Sequence, residues 1–368
     1  MPIVAHNELP TFERLRQEGQ TILEPGRALH QTIRELHIGV LNMMPDAALA
    51  ATERQFFRLV GESNPIAQFY LHPFTLQQLP RGAQAQTHIE QYYDSFEKIR
   101  TSGLDALIIT GANVSHPDLS QETFWEPLRE VFNWAQQNVT SVLCSCLATH
   151  AAMQFQHGQR RSALPAKRWG VFPHRVIHTG HPLVTDVNTR FDVPHSRFND
   201  ISAAQFRQAG LHILVESAAA GVHLAVSEDG FRVVYFQGHP EYDTVSLMKE
   251  YKREVQRFAA GERNDWPPFP DNYFRPREQA ILNEYRKRQA VAQATGKSPP
   301  AFPEQLLAGR IDNTWHDAAE GIVGNWIGLV YQLTHAQRQL PFMDGVDPHN
   351  PLDLDWGSPG LSTRDFKE

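Results

Sequence analysis

Only two cysteines, Cys144 and Cys146, occur in 368 residues, which excludes a disulfide scaffold and a cysteine-rich zinc module. A surplus of positive charge is also missing: 34 Lys and Arg against 41 Asp and Glu give a net charge of −7. That balance argues against a general nucleic-acid binder, whose affinity would need a basic face. No stretch approaches the roughly 18 unbroken apolar residues of a membrane span. The opening MPIVAHNELPTFERLRQEG has no apolar core flanked by basic residues and does not read as a signal peptide. What the chain does have is core material, with 41% AVILMFWYC and 23 glycines. The expectation is a soluble, cytoplasmic globular protein of one large domain, or one plus an appendage.

Residues 1–34 are polar and read as an arm laid over the body. A catalytic body follows over 35–262, and a C-terminal extension over 263–368 packs upon it. Leu36 to Met43 is a short apolar run ended by a Met-Pro break, a buried strand. Thr52 to Val60 has helical spacing, and Ala67–Leu71 and Leu104–Gly111 are further strands. Glu122 to Gln137 reads as a helix through Trp125, Leu128, Phe132 and Trp134. Thr140–Cys146 is a strand running directly into helix-like Leu147–Met153. This alternation predicts an α/β fold with a mainly parallel sheet flanked by helices. From 171 to 238, short β-branched and aromatic runs extend the same sheet. Asp243 is expected to cap a helix to about Ala259, with Leu247, Tyr251, Val255 and Phe258 on one face. Beyond Gly261 come a rigid Trp266-Pro-Pro-Phe-Pro270 linker, a charged helical pattern at 276–297 and an amphipathic helix near 314–334.

The strand-to-helix junction at Cys146 is the most informative local feature. A thiol there projects from the carboxyl edge of the sheet, with a helix N-terminus behind it. The helix dipole and free N–H groups favour a thiolate and can receive an oxyanion. A tight elbow needs small residues two positions either side, and Cys144 and Ala148 are small although not glycine. The segment alone fits a buried packing cysteine equally well; Cys144 is read as packing. Downstream, Gly238-His239-Pro240-Glu241 follows the strand 231–237. Residues two apart in extended chain point the same way, so Glu241 can orient the His239 imidazole and leave its other nitrogen to take a thiol proton. Separately weak, these features together give a Cys-His-Glu hypothesis. His150 is read as packing or solvent-facing, and His174, His178 and His181 as a scattered set that holds no metal. Arg160-Arg161 and Lys167-Arg168 are either a solvated face or a local positive field for an anionic cofactor.

At these residues the chain resembles the homoserine O-succinyltransferase/O-acetyltransferase family of methionine biosynthesis. The matching segments are Leu41-Asn-Met-Met-Pro45, Thr52-Glu-Arg-Gln-Phe56, Thr110-Gly-Ala112, Thr140 through Ala152, Pro194-His-Ser-Arg197 and Gly238-His-Pro-Glu-Tyr-Asp243, in family order. Weaker matches follow at Asn272-Tyr-Phe274, Asn325-Trp326 and Val330-Tyr-Gln-Leu-Thr334. The resemblance implies a class I glutamine amidotransferase-like (flavodoxin-like) α/β fold and a ping-pong acyl transfer. Cys146 would carry the acyl group from an acyl-CoA as a thioester, His239 would act as base, and Glu241 would orient it. The family's substrate contacts fall on Lys167, Ser196 and Arg253. A homodimer is implied, with no permanently bound cofactor, since acyl-CoA is a co-substrate.

Several positions depart from the family. Asp46 and Ala47 stand where a pair of lysines is usual, and Asn113 where a proline is. At the position associated with acyl choice, Gly accompanies succinyl and Glu accompanies acetyl; here it is Ser115. A small neutral side chain leaves room for a distal carboxylate, so succinyl-CoA is the expected donor and L-homoserine the acceptor. The insertion at about 276–310 and the tail after 335 have no family counterpart. The alternatives are an acetyl donor, a serine acceptor, a glutaminase-like amidotransferase, and a non-catalytic binder of an amino acid or CoA.

Overall fold

The computed structural model describes residues 3–28, 34–63 and 67–357. Its strands are β1 (Ile3–Val4), β2 (Ile22–Leu23), β3 (Glu35–Leu41), β4 (Gln68–Phe74), β5 (Ala106–Ile109), β6 (Ser141–Ser145), β7 (Ser162–Val176), β8 (Arg190–Asp200), β9 (His212–Ser217), β10 (Gly221–Val226) and β11 (Val233–Phe236). Its helices are α1 (Pro10–Gln17), α2 (Pro25–Ala28), α3 (Asp46–Glu62), α4 (Ala83–Tyr92), α5 (Phe96–Ser102), α6 (Trp125–Asn138), α7 (Leu147–His157), α8 (Ala203–Gln208), α9 (Ser246–Ala259), α10 (Pro276–Ala294), α11 (Glu304–Ala308) and α12 (His316–Leu333).

All these strands join one sheet in the order β2-β1-β4-β3-β5-β6-β11-β10-β9-β7-β8. From β2 to β11 every neighbouring pair is parallel; from β11 to β8 every pair is antiparallel. The expected mainly parallel α/β sheet with C-terminal helices is what the chain forms. Strands β5 and β6 are buried at every residue, as central parallel strands covered by helices on both faces must be. One face packs against α1, α3 and α12 through Phe12, Phe56, Phe57, Ile322 and Trp326. The other packs against α5, α6 and α7 through Ile99, Leu128, Phe132 and Ala151. A third cluster joins Trp169 and Val171 of β7 to Tyr251, Leu282, Tyr285 and Leu307.

Two differences from expectation have clear causes. Helix α9 begins at Ser246 and has no side-chain cap. The Asp243 carboxylate that was to cap it instead pairs with Arg54 and Arg58 of α3. Two arginines offer it charge-assisted bonds, which outcompete a single backbone N–H. The polar stretch after β4 contains α4 and α5, and α4 buries none of its residues. Without a buried face it carries no apolar periodicity to read.

The C-terminal part is fastened to the sheet by backbone and side chains. Asp271 exchanges backbone hydrogen bonds with both neighbours of Gly170, at 2.8 Å each. A Cβ at residue 170 would lie 2.3 Å from the Asp271 carbonyl oxygen, and φ there is +151°, so glycine is required. From α12, the Trp326 indole donates to Ser141 Oγ at 2.8 Å inside the core.

Candidate active site

Four strand ends converge at the carboxyl edge of the parallel strands, where open α/β sheets bind their ligands. After β3, the Met43 N–H donates to Thr110 Oγ1 at 2.9 Å. This ties the Leu41–Pro45 segment to the Thr110-Gly-Ala112 turn that follows β5. Gly111 abuts the nucleophile candidate: a Cβ there would lie 3.8 Å from Cys146 Cβ and 3.5 Å from Met44 Sδ. Strand β6 delivers Cys146, and β11, paired in parallel with Ser145 opposite Phe236, delivers His239 three residues on.

Cys146 has φ 53° and ψ −108°, in the region that favours glycine, and it heads α7. Such a conformation costs on the order of 1–3 kcal/mol and persists only when its surroundings enforce it. Here the Cys146 N–H donates to the Phe236 carbonyl at 2.8 Å. Thr149 Oγ1 donates to the carbonyls of Cys144 and Phe236 at 2.9 and 2.8 Å, clamping the two strand ends together. Cys144 and Ala148 are wholly buried and leave room for the turn. The side chain of Cys146 is therefore lifted off the sheet, with the unpaired first N–H groups of α7 beside it. Burial alone pushes the Cys144 thiol up, as befits a packing residue.

His239 Nδ1 lies 2.8 Å from Glu241 Oε1, the expected orienting contact. Burial opposes protonation of this imidazole, but the Cys146 thiolate and Glu241 carboxylate outweigh it and hold its pKa well above the usual range. Nε2 is buried without a completed hydrogen bond. The thiol and the imidazole nevertheless act on one another, and a bound substrate can tighten their contact. Tyr242 stacks on the imidazole, with centroids 4.2 Å apart and planes at 19°.

The backbone of His239 is fixed from behind. Its N–H donates to the Pro194 carbonyl at 2.9 Å. The preceding Gln237 is saturated, with Oε1 taking the Ile201 N–H at 2.9 Å and meeting His150 Nε2 at 3.0 Å. His150 is accordingly buried and structural, and burial lowers its pKa to about 4. Behind Gly238 lies a second histidine group, His174, His195 and His223. His195 Nε2 is 3.1 Å from His174 Nε2, and Arg197 contacts its Nδ1. His178 and His181 lie elsewhere, both against Trp356.

Of the expected substrate contacts, Lys167 and Ser196 meet on one carboxylate that sequence reasoning missed. Glu250 Oε2 accepts from Ser196 Oγ at 2.6 Å and pairs with Lys167 Nζ at 3.0 Å, while Oε1 accepts from Tyr242 at 2.7 Å. Burial works against its charge, yet Lys167, Ser196 and Tyr242 prevail and lower its pKa. The chain of contacts Glu250–Tyr242–His239 links this polar pocket to the triad. A signal was available, since Glu250 lies three residues after Leu247 and flanks the apolar stripe of α9. Arg253 is exposed one turn further along the same helix.

Ser115 sits in the turn after Gly111 and is exposed. Its N–H and that of His116 donate to Glu122 Oε1 at 2.6 and 2.7 Å. Asp46 accepts from the Gly82 N–H at 2.7 Å and pairs with Arg81. Arg81 in turn donates to the Met44 carbonyl at 2.5 Å. The cation beside the β3 turn therefore comes from another loop.

Comparisons with known proteins identify the family. A family model described as homoserine O-succinyltransferase matches residues 2–336. A homoserine O-succinyltransferase of Allochromatium vinosum is 70% identical over 354 residues, covering 96% of this chain and 99% of the relative. Those of Thioalkalivibrio nitratireducens and Nitrosococcus oceani are 65% and 61% identical, each covering 96% of this chain and 99% of the relative. Among solved structures, a glutamine amidotransferase of Thermotoga maritima aligns with TM-score 0.46 at 9% identity, over 81% of this chain and 98% of its own. With residues 2–336 matched by the family model and relatives this similar over 96% of its length, the chain belongs to the homoserine O-succinyltransferase family of acyltransferases.

Proposed function

We propose that this chain moves the succinyl group of succinyl-CoA to the hydroxyl of L-homoserine by way of a thioester on Cys146. The observation that carries this reading is the strained Cys146 at the head of α7 beside a His239 that Glu241 orients. The Cys146 thiolate attacks the thioester carbonyl, the C–S bond to CoA breaks, and the departing CoA thiolate takes the proton held on His239. His239, neutral again, then accepts the proton of the homoserine hydroxyl as that oxygen attacks the Cys146 thioester. The new ester leaves and Cys146 returns as thiolate. A thioester stays reactive toward an activated alcohol, so the two attacks are chemically compatible. The N–H groups at the start of α7 supply charge stabilisation at the carbonyl oxygen in both steps.

The amino-acid end of homoserine is assigned to Lys167, Ser196 and Arg253. Glu250 is the carboxylate on which the first two converge, and Arg253 the cation one turn away. Ser115 is assigned to acyl choice. The enzyme works as a homodimer in the cytoplasm, where acyl-CoA is available, as the family resemblance implies.

The test is intact-protein mass spectrometry after mixing with succinyl-CoA, followed by a homoserine chase. A succinyl adduct mapped to Cys146 and discharged by homoserine, but not by serine, is the expected result. Transfer that persists in Cys146→Ala would overturn the mechanism. Arg253→Ala should leave adduct formation intact and weaken its discharge. Ser115→Glu should slow adduct formation from succinyl-CoA, and an unchanged donor preference would remove that assignment.

A further inference from the structure

We infer that Arg161 is the residue that recognises the distal carboxylate of the succinyl donor, and this rests on the proposed Cys146 thioester. The turn that leaves Gly111, itself against Cys146, runs through Ser115 and ends in the grip of this arginine. Arg161 Nη2 donates to the His116 carbonyl at 2.7 Å and Nε to the Pro117 carbonyl at 3.2 Å. The opposite side of the same turn is held by Glu122, which accepts the N–H groups of Ser115 and His116. Arg161 is thus built into the wall that carries the acyl-choice position.

Charge distinguishes it from the other candidates. Two arginines interact electrostatically with Cys146, Arg161 and Arg197. Arg197 is sealed and spent: it pairs with Asp200 at 2.9 Å, donates to the Ala220 carbonyl at 2.6 Å and contacts His195. Arg161 is half-buried and makes no salt bridge among the described residues; its hydrogen bonds go to neutral carbonyls, and the carboxylate that acts on it electrostatically, Glu122, is held by the N–H groups on the other side of the turn. It is therefore a positioned cation with no carboxylate in hydrogen-bond contact, at the far end of the turn that starts beside Cys146. Its neighbour Arg160 is neutralised by Asp118 at 3.1 Å. A four-carbon dicarboxylic acyl group places a second carboxylate a few bond lengths beyond the thioester, and a guanidinium fork suits that group. A monocarboxylic chain of equal length offers the arginine nothing.

The experiment compares succinyl-CoA with butyryl-CoA, which has the same four carbons without the distal carboxylate. Rates of CoA release and of Cys146 adduct formation are measured on the full chain for wild type, Arg161→Met and Arg161→Gln. Glutamine keeps an amide to donate to the His116 or Pro117 carbonyl but lacks the charge, so it separates holding the turn from recognising the acid. Both substitutions should slow succinylation by about 10- to 100-fold, the scale of losing a hydrogen bond to a charged group, with butyrylation within about threefold. Equal losses with both donors, or no loss with either, would overturn the assignment. So would a wild-type enzyme that acylates equally well with the two donors. A wild type that forms no adduct at all would instead strike at the Cys146 reading itself, and is distinguished by that absence in every variant.

Discussion

Two histidine environments lie back to back across Gly238, and they push the pKa of the same side chain in opposite directions. His239 has a thiol on one side and a carboxylate on the other, and these raise its pKa against the cost of burial. His195 and His223, just behind it, have no carboxylate of their own among the described residues. Burial first, then neighbouring Arg197 and the other histidines, drives both well below the usual range. Asp200, the partner of Arg197, is shared with Arg168. Burial alone therefore makes a neutral filler of a histidine, and a base only where anions are placed around it. The neutral group also has a use, since it forms the wall against which the catalytic backbone is set.

The largest expected effect comes from removing the anion that distinguishes the two environments. Cys146→Ala should lower transfer by at least about 10⁴-fold, as loss of a covalent nucleophile does. The His239 pKa should fall at the same time, because only Glu241 then opposes burial; NMR titration of the ring measures this. Glu241→Gln leaves the thiol in place and should cost about 10²- to 10⁴-fold. Its His239 should also titrate at lower pH than in wild type, which a pH series of adduct formation reads out.

Gly238→Ala attacks the wall between the two environments. The added Cβ would meet Val193 Cγ1 at 2.5 Å, His223 Nδ1 at 2.8 Å and His195 Cε1 at 2.9 Å. With every triad residue intact, the displaced His239 should slow transfer by about 10²-fold, the effect of a misplacement near 1 Å. Retention of full kcat would mean that the cluster does not set the position of His239.

The smallest effect concerns the neutral group itself. Burial lowers the His174 pKa from 6.5 to about 4. Between those values the unfolded chain binds a proton that the folded chain does not. The stability contribution is therefore complete above pH 6.5 and is lost as pH falls toward 4. His174→Gln should flatten the decline of Tm across that window and leave kcat at neutral pH within a few-fold. A Tm profile identical to wild type would show that this imidazole does not titrate with folding.

The central sheet, the Cys146 junction and the His239–Glu241 contact were legible because their signals are local. Buried parallel strands are continuous apolar runs, and Cys146 and His239 each sit where such a run stops. The rest depends on distant pairing. Strand β8 contains Pro194 and several polar residues, so it carries no continuous apolar run, and it forms at the sheet's edge. Strands β1 and β2 have two residues each, too few for a pattern. Glu250 acquires its meaning from Ser196, 54 residues earlier, and from Lys167, 83 residues earlier. Arg161 was visible as one of a basic pair, but its hold on the turn after Gly111 is a property of the fold.

The bond between Trp326 and Ser141 also orders events during synthesis. Ser141 begins the strand that presents Cys146, and its hydroxyl, buried in the core, accepts from an indole 185 residues downstream. Thr334 similarly donates to Asp105, 229 residues before it, at 2.8 Å. While the ribosome is still making the intervening chain, the central strands lack the helix that covers one of their faces. Domains that close locally can fold as they emerge; here α1 and α3 are made early, but the part of the face under α12 stays open until residues 316–333 have been translated. Its exposure to aggregation is concentrated in that interval, before any substrate can be bound.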